Sequence, residues 1–160
     1  MPKVVSNTTP ILSLLKIGRL ELLKDLYGKV LIPNAVFEEI EKGKLKPYYQ
    51  NLKELKWIEI LEIIDKSQKQ YFSDLDAGEA EVLILSKEIK AELVLLDEIL
   101  GRRFAEKLGL KITGTIGIIL KAKEMGFITK AKDLIAELRE KGTWISPKLY
   151  EKILEISDEK

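Results

Sequence analysis

The chain has 160 residues, 27 basic and 26 acidic, for a net charge of +1. Cysteine and histidine are both absent, which excludes disulfides, thiol chemistry, Cys/His zinc sites and every triad with a histidine base. Any catalyst built here works with carboxylates, hydroxyls, lysines or a metal held by oxygen, and the near-neutral charge gives no global signature of nucleic-acid binding.

The length suggests one domain over 1–160, large enough for a full core. No apolar run approaches the roughly eighteen residues of a membrane helix. The start is not that of a signal peptide, so a cytoplasmic protein without membrane contact is expected. Abundant Lys and Glu without Cys also fit a thermophilic source.

In chain order, Val4 and Val5 make a short strand, and the polar run Ser6-Asn7-Thr8-Thr9 follows it. Pro10 is expected to open an apolar helix with Thr8 or Thr9 as cap, and Gly18 to end it. A second helix runs to Gly28. Val30–Pro33 reads as a buried strand, and Asn34 as the cap of a helix ended by Gly43. Residues 44–56 are basic, with Tyr48 and Tyr49 interleaved, and are expected to form an exposed helix with loose ends. Such a mixture of cations and rings suits single-stranded nucleic acid; it equally suits a solvated helix with its tyrosines packed inward. The alternating run 57–63 predicts a half-buried strand near an edge. Asp76 then begins a helix, Leu93–Leu96 is an apolar central strand, and helices and a short strand at 111–113 follow. The region from about 129 to 160 reads as a helical C-terminal extension, with Ser146-Pro147 starting its last helix. Alternating strands and helices predict an α/β fold with a parallel sheet covered on both faces.

Four residues stand out. Asn7 and Asp97 close two apolar strands, Glu39 lies on the helix after Val30–Pro33, and Glu79 lies on the first turn after Asp76. In a doubly wound fold all four can converge on one crevice at the carboxyl ends of the strands. Clustered carboxylates repel unless a divalent cation neutralises them, and hard oxygen ligands suit Mg²⁺ or Mn²⁺. Each residue also has a local reading. Asn7 can be a turn former or cap, Asp76-x-x-Glu79 fits a capping box, Asp97 is a good cap for the following helix, and Glu39 is a solvated helix residue beside Glu38.

Taken in order, Val4-Val5-Ser6-Asn7-Thr8-Thr9-Pro10, Ile32-Pro33-x-Ala35-Val36-x-x-Glu39, Ala77-Gly78-Glu79-Ala80-Glu81, Leu95-Leu96-Asp97 and Thr113-Gly114-Thr115-x-Gly117 resemble a PIN-domain protein. The likeness is to the PIN-like branch of archaea and bacteria and runs from residue 4 to about 125. It implies a three-layer α/β/α fold, an Mg²⁺- or Mn²⁺-dependent ribonuclease site, an RNA substrate and kinship with the toxins of toxin–antitoxin pairs. By position Asn7, Glu39, Glu79 and Asp97 match the family's acidic quartet as catalytic and metal-binding residues. Spacing to Val36 in the resemblance selects Glu39 over Glu38. The departure is Asn7, where most PIN nucleases carry Asp; a neutral amide lowers the negative charge of the site.

Thr9, Thr113 and Thr115 offer hydroxyls near a metal or scissile phosphate, and otherwise satisfy local backbone groups. Arg102 can bind RNA phosphate, or pair with Glu98 or Glu106 on its own helix. The expected function is a toxin-type, metal-dependent endoribonuclease, with a small antitoxin as possible partner. The alternative is a catalytically silent PIN-fold module that binds RNA or protein. A homodimer is expected from the broad apolar faces carrying Leu12, Leu15, Leu22, Leu23 and Leu26.

Overall fold

The computed structural model describes residues 2–160. Five short strands, β1 (Val4–Ser6), β2 (Val30–Pro33), β3 (Ile58–Leu61), β4 (Leu93–Leu95) and β5 (Ile112–Thr113), form one sheet in the order β3-β2-β1-β4-β5. Every pairing is parallel. The registers Val5↔Leu31 and Val5↔Val94 place β1 at the centre. Val5, Ile32, Val94 and Leu95 are fully buried, as strands covered on both faces require. The chain builds outward from β1 to β3, then crosses β1 to add β4 and β5. That reversal leaves a crevice at the carboxyl ends of β1 and β4, where open parallel sheets bind ligands. The strand at Ile58–Leu61 lies at an edge, as its alternation predicts.

The helices are α1 (Thr8–Lys16), α2 (Glu21–Tyr27), α3 (Asn34–Glu41), α4 (Ala77–Glu88), α5 (Ile99–Lys107), α6 (Thr115–Glu124), α7 (Ala131–Glu140) and α8 (Pro147–Ile156). Gly18 and Gly28 adopt φ of +66° and +75° just past α1 and α2, the left-handed stop that glycine allows. Helix α4 packs against α3, α5, β1 and β2, and α6 against α1, α2 and α7. The sheet is thus the middle layer of a three-layer α/β/α fold. Residues 78–86 of α4 are all buried. A helix hidden all round carries apolar residues on every face, so the two acids it buries, Glu79 and Glu81, each need a partner.

Three local expectations change. First, α1 begins at Thr8, two residues before Pro10. Proline is tolerated there because the first four helical N–H groups have no partner in their own helix. Second, Asn34 lies inside α3, and Pro33 takes the cap position. Third, residues 44–56 form turns and a single 3-10 turn at Leu52–Glu54. Gly43 and Pro47 interrupt the helical pattern, and the tyrosines are used locally. Tyr48 packs against the core with Lys16 over its ring. Tyr49 donates its hydroxyl to Glu41 at 2.5 Å, and this hydrogen bond, with partial burial, pushes its phenol up to about 12.

The leucines of α1 and α2 face inward. Leu15, Leu22 and Leu23 are buried, and Leu12 and Leu26 are partly buried against the core. The C-terminal helices share the core through Ala131, Leu134, Ile135, Leu138 and Ile153. Glu159 fastens them. It accepts the Ala131 and Lys132 N–H groups at the start of α7, at 2.9 and 3.1 Å, and pairs with Lys123 of α6 at 3.1 Å. Ser146 caps α8 by accepting the Leu149 N–H, as its Ser-Pro start predicts.

Candidate active site

Asn7 sits where β1 gives way to α1. Its backbone N–H continues the sheet by donating to Leu95 O at 2.9 Å. It occupies the cap position of α1, yet its side chain caps nothing. Nδ2 instead donates to Glu98 Oε2 at 3.0 Å. Oδ1 is buried and is the one buried side-chain polar atom among the described residues without a hydrogen-bond partner. The two threonines that follow also point away from their own helix. Thr8 donates to Glu39 Oε2 at 3.0 Å, and Thr9 to Glu98 Oε1. The polar run after β1 therefore organises two carboxylates, one from α3 and one from the start of α5, rather than capping its own helix.

Gly78, in the first turn of α4, marks where these groups meet. A Cβ there would stand 3.2 Å from Glu39 Oε2 and 3.5 Å from both Asn7 Oδ1 and Asp76 Oδ1. Three oxygens from three elements thus border a hollow kept open by a missing side chain. Asp76 also caps α4, accepting the Glu79 N–H at 2.8 Å, as the capping-box spacing predicts. Glu79 is buried, and its Oε2 lies 2.9 Å from the Cβ position of Gly101 on α5. Burial, then the adjoining Asp76 carboxylate and the charge of Glu98, push its carboxyl up to about 8.

Asp97 takes a different part. It does not cap α5, whose cap position is Glu98. Its two oxygens accept the Thr115 N–H at 2.8 Å and the Thr115 hydroxyl at 2.6 Å, so Asp97 caps α6 from across the sheet edge. Gly114 makes the approach possible, since a Cβ there would fall 2.5 Å from Asp97 Oδ1. Burial raises the Asp97 pKa and Glu98 adds to it, against the Thr115 hydrogen bonds and the charge of Arg102. Arg102 is half-buried and makes no ion pair with Glu98 or Glu106 among the described residues. Its guanidinium instead lies 3.3 Å from the Gly114 Cβ position, beside Asp97. Thr113 rests its hydroxyl against Gly117 of α6.

The sequence-predicted residues therefore separate. Asn7 and Glu39 converge directly, Glu79 adjoins them through Asp76, and Asp97 is engaged by Thr115. Sequence reasoning missed Glu98 as a site residue, although it directly follows Asp97, and read Asp76 only as a cap. Among the described residues no three acidic groups stand close enough to hold one ion between them. The donor set at Gly78 is instead two carboxylates and one amide oxygen, all hard, and the amide oxygen lacks a partner. That chemistry fits Mg²⁺ or Mn²⁺.

A family model described as PIN domain matches residues 3–159. The chain belongs to the PIN-domain family. The match takes in every strand of the sheet and the helices through α8, and the family is one of nuclease-type fold whose members generally use divalent metal ions. No curated protein matches the chain. Among the described residues no helix is long and apolar enough to cross a membrane.

Proposed function

We propose that this PIN-domain protein is a metal-dependent endoribonuclease of the toxin type that hydrolyses RNA phosphodiesters in the crevice between β1 and β4. The observation that carries the reading is the orphaned Asn7 Oδ1, buried at the topological switch point and facing two carboxylates across Gly78. A buried acceptor without a partner costs about 1–3 kcal/mol, and a bound cation would relieve it. Asn7, Glu39 and Asp76 would hold Mg²⁺ or Mn²⁺, with Glu79 at the margin of the same cleft. When bound, such a cation lowers the pKa of water and neutralises charge at phosphorus.

The remaining chemistry belongs to the chain. Thr8 orients the Glu39 carboxylate. Asp97 fixes Thr115 and the amino end of α6 at the edge of the crevice. Arg102, next to Asp97, offers a guanidinium to an RNA phosphate, and Thr9, Thr113 and Thr115 line the path with hydroxyls. A small antitoxin, pairing of two copies and a cytoplasmic setting extend the same reading from toxin kinship.

A second reading, a silent module that binds RNA or a protein, is favoured by the neutral Asn7 and by the full engagement of Asp97. Cleavage of single-stranded RNA separates the two. The nuclease reading expects Mn²⁺-dependent cleavage that stops with EDTA and falls at least about 100-fold in Glu39→Gln, the scale of losing a group that stabilises charge in the transition state. Cleavage indifferent to both chelator and substitution, or none with any divalent ion, rejects it.

A further inference from the structure

The Asn7 amide has two chemically unlike ends: Nδ2 only donates and Oδ1 only accepts. Nδ2 stands 3.0 Å from Glu98 Oε2. A carboxylate accepts, so that contact decides which way the amide points. Glu98 is itself anchored, because its second oxygen takes the Thr9 hydroxyl. Asn7, between β1 and α1, and Thr9, in the first turn of α1, thus grip one carboxylate at the start of α5. The result is a buried Oδ1, in a residue only 3% exposed, turned away from Glu98 and toward the hollow over Gly78. Glu39 Oε2 and Asp76 Oδ1 border the same hollow at 3.2 and 3.5 Å from the Gly78 Cβ position.

We propose that Glu98 is a positioning residue that holds the Asn7 amide with its oxygen facing a divalent-cation seat over Gly78, bounded also by Glu39 and Asp76. The proposal rests on the cation reading above and adds the group that makes an amide serve as ligand. Without Glu98 the amide can turn over and present a donor, with its partial positive charge, to the cation. With a carboxylate at position 7, Glu98 would face a like charge at hydrogen-bonding distance. Asn7 and Glu98 therefore belong together: the charge missing at residue 7 is carried by residue 98, one step back from the seat.

The test is a double-mutant cycle read by calorimetric titration of the full chain with Mn²⁺ alone. Glu98→Gln keeps shape but lets the amide at position 7 face either way. It is expected to weaken Mn²⁺ binding about 10-fold, the lower end of what loss of an orienting partner costs a metal site. In an Asn7→Ala background, where no amide remains to orient, the same substitution is expected to change affinity less than about 2-fold. The side-chain amide resonances of Asn7 supply a readout without metal. They are expected to be shifted and slow to exchange in wild type, and to lose both properties in Glu98→Gln. Wild type that binds no Mn²⁺ overturns the cation reading and this proposal with it. Wild-type binding with equal losses in both backgrounds, or an Asn7 amide that exchanges freely in wild type, overturns this proposal alone.

Discussion

Glu81 gives a direct test of how the fold holds Glu39 over the crevice. It is buried on α4, and its Oε1 accepts the Ala35 N–H of α3 at 3.1 Å, capping that helix from outside. Its Oε2 pairs with Lys69 at 3.1 Å. Glu81→Met keeps most of the side-chain volume and removes the acceptor. The lost cap and the bared Ala35 N–H are one loss seen from two sides, about 2 kcal/mol in all. The ion pair adds under about 1 kcal/mol, because Lys69 is half exposed. In a chain of this size 1 kcal/mol moves the melting temperature by roughly 2–4 °C. Glu81→Met should therefore lower it by about 4–12 °C in EDTA. Glu81→Gln retains an acceptor and should cost less than half as much. Melting followed by circular dichroism, with Lys69→Met as control, separates the contributions. If Lys69→Met or Glu81→Gln costs as much as Glu81→Met, the stabilisation lies in the ion pair and the capping argument fails.

Two further expectations concern the crevice. Glu79 binds its proton more tightly folded than unfolded, with a carboxyl pushed up to about 8 from 4.5, so the folded state holds the extra proton between those values. Stability of the metal-free protein should then be greatest at the acid end of that window and fall as pH rises through it. Glu79→Gln should flatten the decline and melt higher than wild type above pH 8 in EDTA; parallel melting profiles would contradict the shift. Gly78→Ala adds a Cβ 3.2 Å from Glu39 Oε2 in a helix turn without positive φ. It should be neutral or stabilising by up to about 1 kcal/mol without metal yet reduce the melting-temperature gain from Mn²⁺, and an undiminished gain would place the cation elsewhere.

The strands and most helix limits are legible in the sequence because they follow from short-range patterns. Val30–Pro33 is apolar throughout, Ile58–Leu61 alternates, and Gly18 and Gly28 end the two helices before them. The acid positions are legible because strand ends and first helical turns can be counted. What cannot be read is which neighbour a side chain chooses. The Thr-Thr-Pro run has the composition of a local cap, but both hydroxyls cross to carboxylates 31 and 89 residues away. Asp97 has the spacing of a cap for α5, but it serves α6. The segment 44–56 has helix-forming lysines and leucines; Pro47 and the Glu41–Tyr49 contact hold it in turns. The leucines of α1 and α2 are apolar enough for an interface, but the sequence does not show that α3 and α6 pack on α1 and α6 packs on α2.

These long-range choices share one logic. Helix amino ends present unpartnered N–H groups, and here carboxylates from other elements reach them: Glu81 for α3, Asp97 for α6 and Glu159 for α7. Such an acid locks two elements together and commits part of its accepting capacity to the fold. An acid kept for a ligand needs lone pairs to spare beyond that use. By this criterion Asp97 is the most structural member of the expected quartet, since both its oxygens are taken by Thr115. Glu39 is the freer one, exposed to solvent and held through the single Thr8 contact. Asn7 is the extreme case. Its donor end is spent on Glu98, and its acceptor end is buried with nothing to accept. A fold that satisfies its other buried side-chain polar atoms among the described residues leaves this oxygen open beside two carboxylates. That unpartnered oxygen, more than the count of acids, is what the proposed cation seat rests on.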